Sequence, residues 1–180
     1  MVGGCKAKSL LFCTQDAYLR AELEQVYRQH RQALFSLALT ITGCTGLAED
    51  AVHEAFVRLC GMQQQPSGRL AAYVFAAVRN AAVDCCRRAK RERKVTETLF
   101  ADTSKTDGLA VHGTNDELTE RLRREIDLLE ESTREIIVMK IFGELTFDEI
   151  GSVLNTPAAT VATRYRRTLM TLEERLRRDP

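Results

Sequence analysis

The sequence predicts an all-α protein of two small helical domains joined by a flexible linker, the C-terminal one a helix-turn-helix. Three observations carry this. Apolar residues recur at three- and four-residue steps from Asp16 onward. A polar stretch without any sustained period, Val95 to Asn115, interrupts them. Two helix starts separated by a tight-turn signal lie between Thr146 and Leu176. The expected divisions are a loose N-terminus over 1–15, a first domain over 16–94, a linker over 95–115 and a second domain over 116–180.

In the first domain, Leu19, Leu23, Tyr27, Leu34, Ala38 and Ile41 form one apolar stripe, with His30 at its edge as a core-edge histidine. Gly43 to Gly46 ends that helix. The next, from about Leu47 to Cys60, buries Ala48, Val52, Ala55, Phe56 and Leu59, while Asp50, His53, Glu54 and Val57 project the other way. A valine among acids on an exposed face suits a partner surface, although a solvated acidic face is the plainer reading. Gly61 to Arg69 is a loop by its Gly, Pro and Ser content. A third helix, from about Leu70 to Lys90, turns Leu70, Val74, Val78, Ala81 and Cys85 inward, with Tyr73, Ala76, Asn80 and Arg87 on another face and Arg79 nearby. It runs into Arg87, Arg88, Lys90, Arg91, Arg93 and Lys94. A helix dipole explains one or two such charges but not six. Arginines beside an aromatic ring and an amide suit single-stranded nucleic acid, following phosphates while the ring and amide meet unstacked bases.

The linker's residues span roughly 25 Å on average and at most about 70 Å extended. The period resumes from Asp116 with Leu118, Leu122, Ile126 and Leu129, and a support helix carries Ile136, Ile137, Met139, Ile141 and Phe142. Thr146 and Glu149 form a capping box. Asn155 tolerates the left-handed turn that ends the short helix near Leu154. Thr156 is the expected cap of a longer helix with Pro157 at its first position. On that helix Val161, Tyr165, Leu169, Leu172 and Leu176 form the stripe that must face a core. Thr160, Thr163, Arg164, Arg166 and Arg167 lie on or beside the opposite arc, with no acid before Glu173. Arginines and hydroxyls so placed suit the DNA major groove, where arginine reads guanine edges and hydroxyls reach phosphate.

At 180 residues and a net charge of +1, nucleic-acid binding has to come from local segregation of sign. No apolar run is long enough to cross a bilayer, and Met1 to Gln15 does not read as a signal peptide, so a cytoplasmic protein with reduced thiols is expected. Of six cysteines none makes a CxxC pair, and the vicinal Cys85-Cys86 cannot chelate as zinc-finger pairs do. A metal site from Cys44, His53 and Cys60 is conceivable and not expected. Nor is any cofactor.

Arg134-Glu135, Phe147, Glu149-Ile150, Pro157, Thr160-Val161, Thr163-Arg164 and Arg167 resemble the fourth region of bacterial sigma factors of the extracytoplasmic-function group. Regulators with the LuxR-type helix-turn-helix share much of this pattern. Ala48-Glu49-Asp50, Glu54, Phe56, Arg79-Asn80, Asp84 and Arg87-Arg88 resemble the second region of the same group, a block those regulators lack. The resemblance implies a promoter-specificity subunit without enzymatic chemistry, whose partners are core RNA polymerase, promoter DNA and, in many members, an anti-sigma factor that holds the two domains shut. It implies polymerase docking through Asp50, His53, Glu54 and Val57. Capture of the unpaired minus-ten strand would fall to Tyr73, Arg79, Asn80, Arg87 and Arg88. Duplex reading of the minus-thirty-five element would fall to Thr160, Thr163, Arg164, Arg166 and Arg167. The chain departs from the pattern at His53, for a usual glutamine, at Tyr73 for a tryptophan, at Glu130 for a proline and at Ala162 for a lysine. The rival readings are a stand-alone LuxR-type regulator with an N-terminal sensing domain, and a small enzyme. The latter lacks any phosphate loop, metal-spaced cluster or nucleophile motif.

Overall fold

A computed structural model describes residues 5–62, 66–96 and 117–178, and every described element is helical. Helix α1, Cys5–Thr42, starts ahead of the expected Asp16, so residues 5–15 of the stretch expected to be loose are helical. Beyond Gly3-Gly4 the sequence holds no Gly or Pro until Gly43, and nothing stops the helix from extending that far. Gly43, at φ 62, breaks it with a left-handed residue. Helix α2 spans Thr45–Cys60 and α3 spans Leu70–Thr96. The expected linker lies outside the described residues from position 97 on.

The first domain is a three-helix bundle. Leu34, Leu37 and Ala38 of α1 meet Ala48, Ala51 and Ala55 of α2 and Val74, Val78 and Ala81 of α3, all nearly or fully buried. The alanines on α2 carry no bulk beyond Cβ, which lets that helix lie close against both neighbours. His30 is buried, its ring edge-on to Phe75 at 5.8 Å.

The second domain begins with α4, Glu117–Asp127, and α5, Glu131–Ile137, which continues as a π-helical turn, Val138–Phe142. Helix α6, Phe147–Leu154, and α7, Ala158–Arg178, complete it. Ile136, Val138, Met139, Leu145, Ile150 and Val161 form its centre. Three of its residues expected to face a core do not: Leu122, Ile141 and Leu169 are exposed, and Thr168 is buried in place of Leu169. Thr168 satisfies its hydroxyl on the Arg164 carbonyl, 2.8 Å away, so the polar group enters the core without an unmet hydrogen bond.

The two domains pack against each other. Helix α1 meets α5 and the π turn, and α3 meets α6, so the buried apolar residues of both halves join in one cluster. The close approach is clearest at Gly143, where a Cβ would lie 2.7 Å from Cζ of Phe75.

Candidate nucleic-acid and polymerase interfaces

The helix-turn-helix is built by the expected local chemistry with one change. The Thr146 hydroxyl accepts the Glu149 amide at 3.2 Å, and the Glu149 carboxylate accepts the Thr146 amide at 2.7 Å. Asn155 takes the left-handed conformation, φ 50 and ψ 43, and the Thr156 amide reaches the Gly151 carbonyl at 2.9 Å. A Cβ on Gly151 would lie 2.6 Å from the Thr156 carbonyl oxygen, so only glycine lets the turn fold back over α6. The Thr156 hydroxyl, expected to cap α7, donates to the Leu154 carbonyl at 3.2 Å and closes the turn instead. The Phe147 and Tyr165 rings, 5.6 Å apart, pin α7 to α6, and Lys140 lies 4.9 Å from the Phe147 ring centroid.

This packing leaves Thr160, Thr163, Arg164, Arg166 and Arg167 exposed on one arc of α7. Among the described residues no carboxylate pairs with Arg164, Arg166 or Arg167. Three free guanidinium groups on a helix face form a positive surface with its donors unspent. The Thr163 hydroxyl donates to the Ala159 carbonyl at 2.8 Å, which leaves its oxygen lone pairs facing solvent.

The residues on α3 divide. Tyr73, Asn80 and Arg87 are exposed along one face, with Tyr73 40% exposed and Arg87 loosely paired to Asp84 at 3.7 Å. Arg79 and Arg88 are engaged, contrary to the expectation of a free basic face. Arg79 reaches across the domain boundary, its Nε 2.6 Å from the Glu135 carboxylate. Arg88 holds Glu54 of α2 and also donates to Cys85 Sγ at 3.2 Å. A helical wheel finds faces but not which long side chain will bend to which acid on another helix.

On α2, Asp50 and His53 are exposed and Val57 is 59% exposed, an apolar side chain between polar ones. Glu54, expected to project freely, is instead clamped between Arg58 and Arg88. The Arg88 guanidinium, chiefly, holds its carboxyl below the ordinary carboxylate range against the opposing effect of burial. Glu54 and Arg88, assigned from sequence to different surfaces, are thus partners that tie α2 to α3. Beside His53 a groove of about 710 Å³ runs between α1 and α2, lined by Leu23, Tyr27, Val52 and Phe56 among others. Tyr27 and Phe56 stack edge-on in it at 5.0 Å.

Sequence reasoning placed Glu135, only 3% exposed, in the fourth-region pattern without finding its partner, and it missed Arg69, which donates to the Glu144 carbonyl at 3.2 Å and lies 3.6 Å from the Glu149 carboxylate. Both act across the domain boundary, and no local pattern signals such pairing. Cys44, Cys60, Cys85 and Cys86 are free thiols, and burial pushes the Cys86 thiol up. Among the described residues no three His, Cys, Asp or Glu side chains are grouped to hold a metal. None of the described helices is long and apolar enough to cross a membrane.

Comparison with known proteins bears on both domains. The family model for sigma-70 region 2 matches residues 26–92, and the model for sigma-70 region 4 matches residues 119–172. The chain is 27% identical over 178 residues to the ECF RNA polymerase sigma factor SigW of Bacillus subtilis (strain 168), covering 91% of this chain and 90% of that one. Its fold is similar to that of the sigma factor RpoE from Bartonella quintana, solved in complex with the anti-sigma factor NepR. There the TM-score is 0.65 at 20% identity, over 88% of this chain and 99% of that one. With the second-region block on α2 and α3 and the fourth-region helix-turn-helix on α6 and α7, the chain belongs to the extracytoplasmic-function group of bacterial RNA polymerase sigma factors.

Proposed function

We propose that this sigma factor divides its work among three surfaces, and that the exposed arginine face of α7 is the one that reads promoter duplex. The observation that carries this is the trio Arg164, Arg166 and Arg167, unpaired and exposed behind a helix-turn-helix whose turn is fixed by Asn155 and Gly151. Free guanidinium groups at the front of such a helix can meet guanine edges in pairs, and the neighbouring threonines can meet phosphate. Strand capture falls to the exposed face of α3, where the Tyr73 ring offers a stacking surface and Asn80 an amide for a base edge. Polymerase docks on α2 through Asp50, His53 and Val57, with the groove beside His53 extending that surface. Glu54 supports the surface by fixing α2 to α3. An anti-sigma partner is the kind of protein that would cover these surfaces.

Because net charge is near zero and the basic patches are small and separate, the isolated chain is expected to bind promoter duplex weakly. With core polymerase it is expected to bind specifically, and affinity should fall with salt as phosphate contacts require. The experiment is co-purification with core polymerase, followed by promoter binding at two salt concentrations. Tight binding by the chain alone, as a dimer on a palindrome, would instead support a stand-alone regulator.

A further inference from the structure

The Arg79–Glu135 pair joins residues 56 positions apart and bridges the two domains. Around it lie Phe75 against Gly143, the ring of His30 against Phe75, and Arg69 on the Glu144 carbonyl and near Glu149. At 100° per residue, Tyr73, Ala76, Asn80 and Arg87 share one face of α3, Arg79 lies beside that face, and Arg69 immediately precedes the helix. The second domain therefore packs beside the strand-capture face and takes Arg79 from its edge. A carboxylate, like a phosphate, presents a guanidinium with a pair of anionic acceptor oxygens.

We propose that Glu135 is an internal stand-in for DNA phosphate: it holds Arg79 so that the free sigma factor is closed on itself, and strand capture requires the pair to part. This rests on the reading of Arg79 as a strand-capture residue. Opening would free Arg79 and remove the second domain from the edge of the Tyr73–Asn80 face in one movement. The pair is suited to parting. Burial dominates at Glu135 and pushes its carboxyl up, with the Arg79 guanidinium offsetting only part of that. A buried pair of this kind fixes geometry more than it adds stability. The capture-competent state is then a minority of the free chain, and its apparent affinity is reduced by that fraction. Core polymerase, by binding α2 and the second domain at separate points, would select the open form.

The test uses the full chain. Binding of fluorescent single-stranded DNA of mixed sequence is measured by anisotropy, and molecular size by sedimentation velocity, for wild type and Glu135→Gln. The expected result is an affinity gain of roughly tenfold and a lower sedimentation coefficient for Glu135→Gln. Once core polymerase is bound, the difference between the two should vanish. Charge exchange guards against a folding defect at Glu135: Arg79→Glu alone should open the chain, and Arg79→Glu with Glu135→Arg should close it again. A double variant as open as the single one, or a single variant as compact as wild type, overturns the proposal. Opening without a gain in oligonucleotide affinity overturns it too, and removes the strand-capture role of Arg79 with it. Unchanged size and unchanged affinity in Glu135→Gln overturn the lock alone and leave that role standing.

Discussion

At the scale of single residues, the two buried or clamped glutamates behave oppositely. Glu54 is charged with help from Arg88 and Arg58, and its carboxyl is held below the ordinary range. Its folded value is depressed, so the stability it contributes is complete above the ordinary carboxyl value and is lost as pH falls through the depressed one. Glu135 has a raised value, so its contribution is complete below the ordinary value and is lost as pH rises through the raised one. Thermal melts across the acid range should therefore show Glu54→Gln less stable than wild type at neutral pH, with the gap closing in acid. A gap that widens in acid would show that the clamp does not stabilise the charged form. Arg167 has no such internal partner, so its replacement reports on DNA alone. Arg167→Ala should keep core-polymerase binding, cost roughly 1–3 kcal/mol at the cognate upstream element and relax base preference there. A pull-down beside binding to matched and altered upstream elements decides this, and loss of polymerase with retained DNA preference would show the arginine face wrongly assigned.

At the scale of elements, the helix-turn-helix depends on a contact between backbones. Gly151→Ala places a Cβ 2.6 Å from the Thr156 carbonyl, with the Ala158 amide nitrogen 3.3 Å away, and backbone cannot step aside as a side chain tip can. The variant should lose roughly 1–3 kcal/mol on denaturant unfolding, as overpacked sites do. It should also lose upstream-element affinity, because α7 is re-aimed. Full affinity with unchanged stability would show that the turn has slack. On α3 the separable function is opening. Asn80 is exposed and outside the interdomain pair, so Asn80→Ala should impair strand opening more than duplex binding. Permanganate reactivity of the promoter measures this, and normal reactivity would remove Asn80 from melting.

At the scale of the whole molecule, sequence and structure contribute different kinds of information. The capping box, the left-handed Asn155, the Gly43 break and the buried stripes of α2 and α3 are local, set by residues three or four apart. The helices and the turn were therefore legible in the sequence, as was the membership that the two family regions imply. The stripe rule failed at Tyr27, Leu122, Ile141 and Leu169, because facing inward on a wheel does not guarantee enough neighbours to cover the side chain. Tertiary structure alone decided that Glu54 is clamped between two arginines, that Arg88 serves the bundle, and that Arg79 leaves the basic face for Glu135. These pairs span 34 and 56 positions wherever they cross helices, and sequence periodicity carries no information at such separations. Nor could it show the two domains sharing one core, since each has an apolar stripe sufficient for a bundle of its own. Local sequence determined the elements and their faces. Which face met which, and so which charges stayed free to work, depended on packing between segments far apart in the chain.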